Sequence, residues 1–203
     1  MSLESIMIIH PDEINTGIDW SQIFPNDYPL KLEIGFGIGD FLVHQAWQDP
    51  ESNFVGIERL KKYVYKAKKK ADFNELVNLC LIHGEVISII SKIFGKKKLR
   101  EVYINFPDPW PKRRHRFRRL IQPLFLDKLS DALEDKGLVN LATDVPDYAW
   151  QMFHCFQNHN SFENLFLEKP FVYSIEGRFP TKYERDYQSQ GKTIYYLLFR
   201  KVG

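Results

Sequence analysis

The sequence predicts an α/β fold: a mostly parallel sheet with helices on both faces and one antiparallel edge strand. Three observations carry this. Short apolar runs alternate with amphipathic stretches along most of the chain, the pattern of strand–helix–strand units. The last two apolar runs have no helix between them, so one of them pairs antiparallel at a sheet edge. The length, 203 residues, suits one domain with an ordinary core. That domain is residues 1–203, with 1–29 as an extension packing on or preceding the core.

The first strand is read at 30–35 (LKLEIG) and the first helix at 39–48 (GDFLVHQAWQ). A strand at 53–58 (NFVGIE), a lysine-rich helix at 60–72, a strand at 78–83 (NLCLIH) and a helix at 85–94 follow. The strand at 99–106 (LREVYINF) runs into Pro-Asp-Pro-Trp. A helix at 121–135 is ended by Gly137, and a strand at 138–143 (LVNLAT) precedes a helix at 147–158. Strands near 164–168 and at 193–200 (TIYYLLFR) complete seven.

Hydrophobic residues make up 44% and charged residues 27% of the chain, a globular balance. Net charge is only +2, yet the positive charge is concentrated. Residues 59–70 (RLKKYVYKAKKK) and 112–119 (KRRHRFRR) hold much of it, so the remainder is net acidic. The two cysteines are far apart with no CxxC, which excludes a disulfide framework and a thiolate zinc site. No apolar run is long enough to span a membrane, and "IMII" is too short for a signal sequence. A cytoplasmic protein is expected.

In such a sheet ligands bind outside the carboxyl ends of the strands. The first strand ends in Gly35, Gly37 and Gly39 at the start of a helix, a turn a ligand can approach closely. The spacing is GxGxG, not the GxGxxG of a dinucleotide site. Glu58 ends the second strand, where an acid accepts hydrogen bonds from ribose hydroxyls. Glu33 lies just before the turn, where a carboxylate suits a cationic ligand and would repel a pyrophosphate; otherwise it is a buried acid with a basic partner. Glu85, after the third strand, either contacts an adenine or serves the helix start.

The fourth strand ends in "NFPDPWPKRRHRFRRL". Two prolines fix the backbone around Asp108 and so aim its carboxylate. Lys112, Arg113, Arg114, Arg116, Arg118 and Arg119 follow as a cluster that can neutralise phosphates, with His115 and Phe117 interrupting it. Asp144, in "ATD", either meets the same ligand or caps the next helix. "TKYE", Thr181 to Glu184, reads as a polar loop before the last strand. "GKT" at 191–193 is not a P-loop, because Asp186 stands where the earlier glycine belongs and a strand follows. The six histidines show no ligand spacing, and no metal is expected.

"LEIGFGIGDF", "NFVGIE", "NFPDPWPKRRHRFRRL", "LATD" and "GRFPTKYERDYQSQG" together resemble the bacterial tRNA (guanine-N7)-methyltransferases, over about residues 30–200. The resemblance implies a Rossmann-like class I methyltransferase fold with a seven-stranded sheet. It implies S-adenosylmethionine as cofactor, tRNA as partner, and N7 of a guanine, at position 46 in the variable loop, as target. Carried onto this sequence, it places Glu33, Gly35, Gly37, Gly39, Glu58, Glu85 and Asp108 at the cofactor, with Asp108 catalytic. It places Lys112, Asp144, Thr181, Lys182, Tyr183 and Glu184 at the substrate, beside Arg113, Arg114, Arg116, Arg118 and Arg119, which the charge pattern above already assigns to its phosphates. Pro111 stands where many relatives have His. A monomer or homodimer is compatible with all of this. A NAD-dependent oxidoreductase would need the GxGxxG turn and a proton-transfer Tyr or His. A binding module on a degenerate fold would be expected to lose the glycines or Glu58.

Overall fold

The computed structural model, which describes residues 6–10, 17–167 and 169–203, is built on an eight-stranded sheet. In chain order the elements are β1 (Met7–Ile9), β2 (Leu30–Ile34), α1 (Asp40–Gln48), β3 (Asn53–Glu58), α2 (Lys61–Phe73), β4 (Leu79–His83), α3 (Val86–Phe94), β5 (Leu99–Asn105), α4 (Pro123–Ala132), β6 (Leu133–Thr143), α5 (Pro146–Gln157), β7 (Phe162–Asn164), α6 (Lys182–Ser189) and β8 (Tyr195–Lys201). The strands lie in the order β1-β4-β3-β2-β5-β6-β8-β7. The first six are parallel; β8 runs antiparallel between β6 and β7.

Alternation along the strands divides the core. Val55, Ile57, Cys80 and Ile82 pack with α3, α4 and α5 on one face. Phe54, Leu79 and Leu81 pack with α1 and α2 on the other. A strand covered on both faces must be apolar throughout, and every residue of β3 is buried.

The chain leaves β2 toward β3 and β4, then crosses to β5 on β2's other side. The topological switch point therefore lies between the carboxyl ends of β2 and β5, where open α/β sheets hold their ligands.

Four expectations change. The eighth strand, β1, comes from the extension and pairs with β4; further along, Trp20 donates its indole N–H to the Ile93 carbonyl and stacks on Phe94. The helix expected at 121–135 starts at Pro123 and stops at Ala132. Leu133 turns extended and is buried beside Leu99, and the ladder then skips to Leu138 opposite Glu101. Gly137 sits in this irregularity, not at a helix end, where a Cβ would lie 2.9 Å from the Glu134 carbonyl oxygen. The strand expected near 164–168 is Phe162–Asn164; Glu168 lies outside the described residues. The loop expected around Thr181 is the N-terminus of α6.

Candidate active site

The turn after β2 meets its geometric needs with glycine. Gly35 has φ +72°, and a Cβ on it would point into open space at the strand end. Gly39 has φ +79° and starts α1 so close to α2 that a Cβ would fall 2.5 Å from the Ala67 Cβ. Glu58 ties this turn to the next element. One carboxylate oxygen accepts from the Gly37 amide at 3.0 Å and the other from the Leu60 amide at 2.9 Å. Each oxygen keeps a second lone pair for a ligand. Glu58 thus fixes the floor of a cleft of about 480 Å³ lined by Gly35, Gly37, Glu58, Glu85, Asp108 and Trp110.

Glu33 is buried beneath the same turn. One of its oxygens accepts from the Asn105 amide at 2.9 Å; the other has no hydrogen-bond partner among the described residues. Burial pushes its pKa up to about 7, against the Asn105 hydrogen bond and the Arg178 charge, which pull it down. Asn105 in turn accepts from Arg178 at 2.6 Å, and Arg178 reaches Glu184 at 3.4 Å. Its guanidinium lies over the rings of Phe41 and Tyr196, and the Tyr196 hydroxyl donates to Glu184 at 2.6 Å. A buried polar chain therefore runs from the sheet floor to α6.

The far end of that chain gives Thr181 and Glu184 a structural role. Thr181 and Glu184 are buried and form a capping box: the Thr181 hydroxyl accepts from the Glu184 amide, and the Glu184 carboxylate accepts from the Thr181 amide. Both hold the helix and face inward. Lys182 and Tyr183 are the exposed members of "TKYE", and Tyr183 lines the cleft 3.7 Å from where a Gly37 Cβ would stand.

After β5 the backbone takes φ +51° at Phe106 and +40° at Trp110, flanking Pro107-Asp108-Pro109. Left-handed backbone at two aromatic residues is strained and needs support from its surroundings. Arg119 supplies it. Its Nε donates to the Pro109 carbonyl at 2.7 Å, its other nitrogens to Gln151 and Asp147 at 2.6 Å each, and its guanidinium lies over Tyr148. Only 2% of Arg119 is exposed, so it is withdrawn from any phosphate and instead clamps the turn to α5. Arg119→Met should lower the unfolding free energy by at least ~2 kcal/mol, since charge-assisted bonds are lost and the Pro109 carbonyl is left unpaired. Urea unfolding monitored by circular dichroism checks this.

Asp108 itself is exposed at the cleft mouth and pairs with Arg59 at 2.9 Å. Exposed pairs of this kind are worth ~0.2–1 kcal/mol, so an incoming ligand opens it readily. Lys112, Arg113, Arg114 and Arg118 project outward beyond it, with the Arg118 guanidinium over the Trp110 ring. Arg116 is half engaged, pairing with Asp147 at 3.0 Å. Glu85 stands at the N-cap position of α3, but its side chain bonds Ser88 and caps no amide. Asp144 neither caps α5, where Val145 holds that position, nor lines the cleft; it pairs with Lys192 at 2.9 Å. Sequence reasoning passed over Asn105, Arg178, Tyr63 and Tyr187. The first two support Glu33 and the last two line the cleft. Among the described residues no group of His, Cys, Asp or Glu is arranged to hold a metal, and no helix is long and apolar enough to cross a membrane.

Comparison with known proteins gives this geometry a context. The family described as "Putative methyltransferase" matches residues 27–197. The tRNA (guanine-N(7)-)-methyltransferase of Geobacter metallireducens is 32% identical over 203 residues, covering all of this chain and 96% of that protein. The enzyme of the same name from Thermotoga maritima is 38% identical over 185 residues, and this chain spans 58% of its length. Among solved structures, the 16S rRNA (adenine(1408)-N(1))-methyltransferase from Catenulisporales acidiphilia superposes with a TM-score of 0.65 at 14% identity, over 93% of this chain and 96% of that one. At that identity the likeness is one of fold.

Proposed function

Because this chain belongs to the tRNA (guanine-N7)-methyltransferase family, we propose that it methylates N7 of a guanine in tRNA, at position 46 of the variable loop, with S-adenosylmethionine as donor. The same reading makes tRNA its partner and the cytoplasm its location. The observation that carries it is Asp108: a carboxylate aimed by two prolines, at the mouth of a glycine-floored cleft, with outward-facing cations directly after it.

The residues present fit the cofactor. Gly35 leaves room where a side chain would block the strand end, and Glu33 has a buried oxygen in want of a donor. Glu33 would hold the cationic methionine end, Glu58 the ribose hydroxyls and Glu85 the adenine. When bound, S-adenosylmethionine supplies an electrophilic methyl group on a sulfonium.

The chain's own task is alignment. Guanine presents N1–H and an exocyclic amine on one edge, and the Asp108 carboxylate can accept from both. N7 already carries a free lone pair, so no general base is required; the barrier is lowered by holding N7 in line. Positive charge develops on the purine as the methyl arrives, and a carboxylate fixed against the base offsets it. Arg119, through the Pro109 carbonyl, keeps that carboxylate from drifting.

Mass spectrometry of nucleosides, after incubating unmodified tRNA with the protein and labelled cofactor, should show labelled 7-methylguanosine. Replacing the variable-loop guanine with adenine should remove it. No label in the first tRNA would overturn the activity; label persisting in the second would overturn the position.

The outward cations should act through phosphates. Neutralising Lys112, Arg113 and Arg114 together should weaken tRNA binding. It should also flatten the plot of log affinity against log salt by ~0.7–0.9 per lost phosphate contact. Cofactor affinity should hardly move. Filter binding across a salt series measures both, and an unchanged slope would mean that the loop is only solvated.

A further inference from the structure

The second concentration of charge, on α2, has no part in the site described so far. The buried face of this helix is Val64, Ala67 and Ala71. Lys62, Lys66 and Lys69, at i, i+4 and i+7, project from the opposite side and are exposed. None of the three pairs with a carboxylate among the described residues. The one acid in the helix is Asp72, in its last turn, and it pairs with Lys68.

Helix stability does not explain this composition. Lys61 and Lys62 occupy the first turn, where the helix dipole disfavours cations. Lys62 and Lys66 are like charges at i,i+4, a pair destabilising by ~0.2–0.5 kcal/mol, whereas Lys70 is compensated by Asp40. A face kept only for solubility ordinarily mixes both signs.

Position gives the other half of the argument. The chain enters α2 from the carboxyl end of β3, and Arg59, Leu60 and Tyr63 line one side of the cleft. Pro107 to Trp110 and Arg118 line the other. From Lys62 to Lys69 the helix advances ~10 Å away from that rim. The cleft thus has on each side exposed cations, on α2 and in the loop after Trp110, that stand over aromatic rings or in the open and that pair with no carboxylate among the described residues.

We propose that the outward face of α2, through Lys62, Lys66 and Lys69, is a second contact for the phosphodiester backbone of the RNA substrate, across the cleft from the loop after Trp110. This rests on reading that substrate as tRNA. The target base enters between two basic rims, and backbone on each side of it is gripped separately. Contacts of this kind position the RNA without reading its sequence.

The molecule carries its own control. Lys96, Lys97 and Lys98 are also exposed, but they precede β5 and so lie at the amino ends of the strands, away from the cleft. The triple variants K62Q/K66Q/K69Q and K96Q/K97Q/K98Q change net charge equally. In filter binding of a tRNA transcript, the α2 variant should flatten the salt slope by ~2–3 and weaken low-salt affinity by about tenfold or more. The control variant should behave as the parent. Cofactor affinity, and turnover at saturating tRNA, should be unchanged in both.

A parental slope in the α2 variant would overturn the proposal, as would equal losses in both variants, which would indicate net charge alone. Loss of binding to phosphatidylserine vesicles, with tRNA binding intact, would assign the face to a membrane and overturn it too. A parent that binds no tRNA overturns both this proposal and the function it rests on. A parent that binds, with the α2 variant unchanged, overturns this one alone.

Discussion

Asp108→Asn should keep the fold and bind S-adenosylmethionine, yet lose methyl transfer by ~10²–10³. The turn is shaped by Pro107, Pro109 and the Arg119 clamp, none of which needs the Asp108 charge. An amide offers one acceptor where two guanine donors need partners, and it cannot offset charge on the product. The loss should persist at saturating tRNA and cofactor, because it arises in the transition state. It should also be flat with pH, since N7 has no proton to lose near neutrality. Single-turnover methylation between about pH 6 and pH 9 tests both parts, a range in which an essential base would reveal itself. Near-parental turnover would remove Asp108 from the mechanism; recovery at high pH would point to a general-base step.

Glu33 sets the second large effect. Its pKa is pushed up to about 7 by burial. Below that it is neutral and offers a cation little; above it the carboxylate is ionised. Cofactor affinity in the parent should therefore strengthen as pH rises through about 7. Glu33→Gln should abolish that dependence and weaken binding at high pH by ~10- to 100-fold, the worth of a charge-assisted hydrogen bond.

Stability without cofactor should move the opposite way. Between the ordinary 4.5 and about 7 the folded state holds a proton that the unfolded chain releases. Stability contributed by this group therefore falls as pH rises through that window. At higher pH Glu33→Gln should be more stable than the parent, by up to ~3 kcal/mol on converting the shift. Calorimetric titration of cofactor and urea unfolding, each on both sides of neutrality, measure the two effects. A parental cofactor affinity that does not vary with pH would sink the assignment.

The strands and most helices were legible because their signals are local. The alternation in "LKLEIG" and the buried run "NFVGIE" each need only their own residues, and β2 and β3 follow. The strand β1 was not legible, because three residues, "MII", are too short a signal without β4 beside them. The helix α6 was legible and passed over: Thr181 and Glu184 stand at capping-box spacing, a local sign of a helix start.

Within the site, sequence position indicates what stands at each strand end but not which way each side chain turns. Arg118 and Arg119 are adjacent and chemically identical, yet one lies over Trp110 in the open and the other is buried against α5. What separates them is Asp147 and Gln151, some thirty residues away, and no short-range pattern reports such a partner. Arg178 escaped for the same reason, since its partner Asn105 is 73 residues distant.

The Arg59–Asp108 pair has a bearing on turnover. A carboxylate that grips guanine grips 7-methylguanine more strongly, because the product is a cation. An enzyme relying on that carboxylate alone would hold its product and stall. Arg59 is a tethered rival for the same two oxygens, already 2.9 Å from one of them in the free protein. Attached to the chain, it competes at a fixed local concentration that dilution does not lower. Any base that takes the Asp108 carboxylate must therefore displace this contact and, on leaving, returns the carboxylate to it.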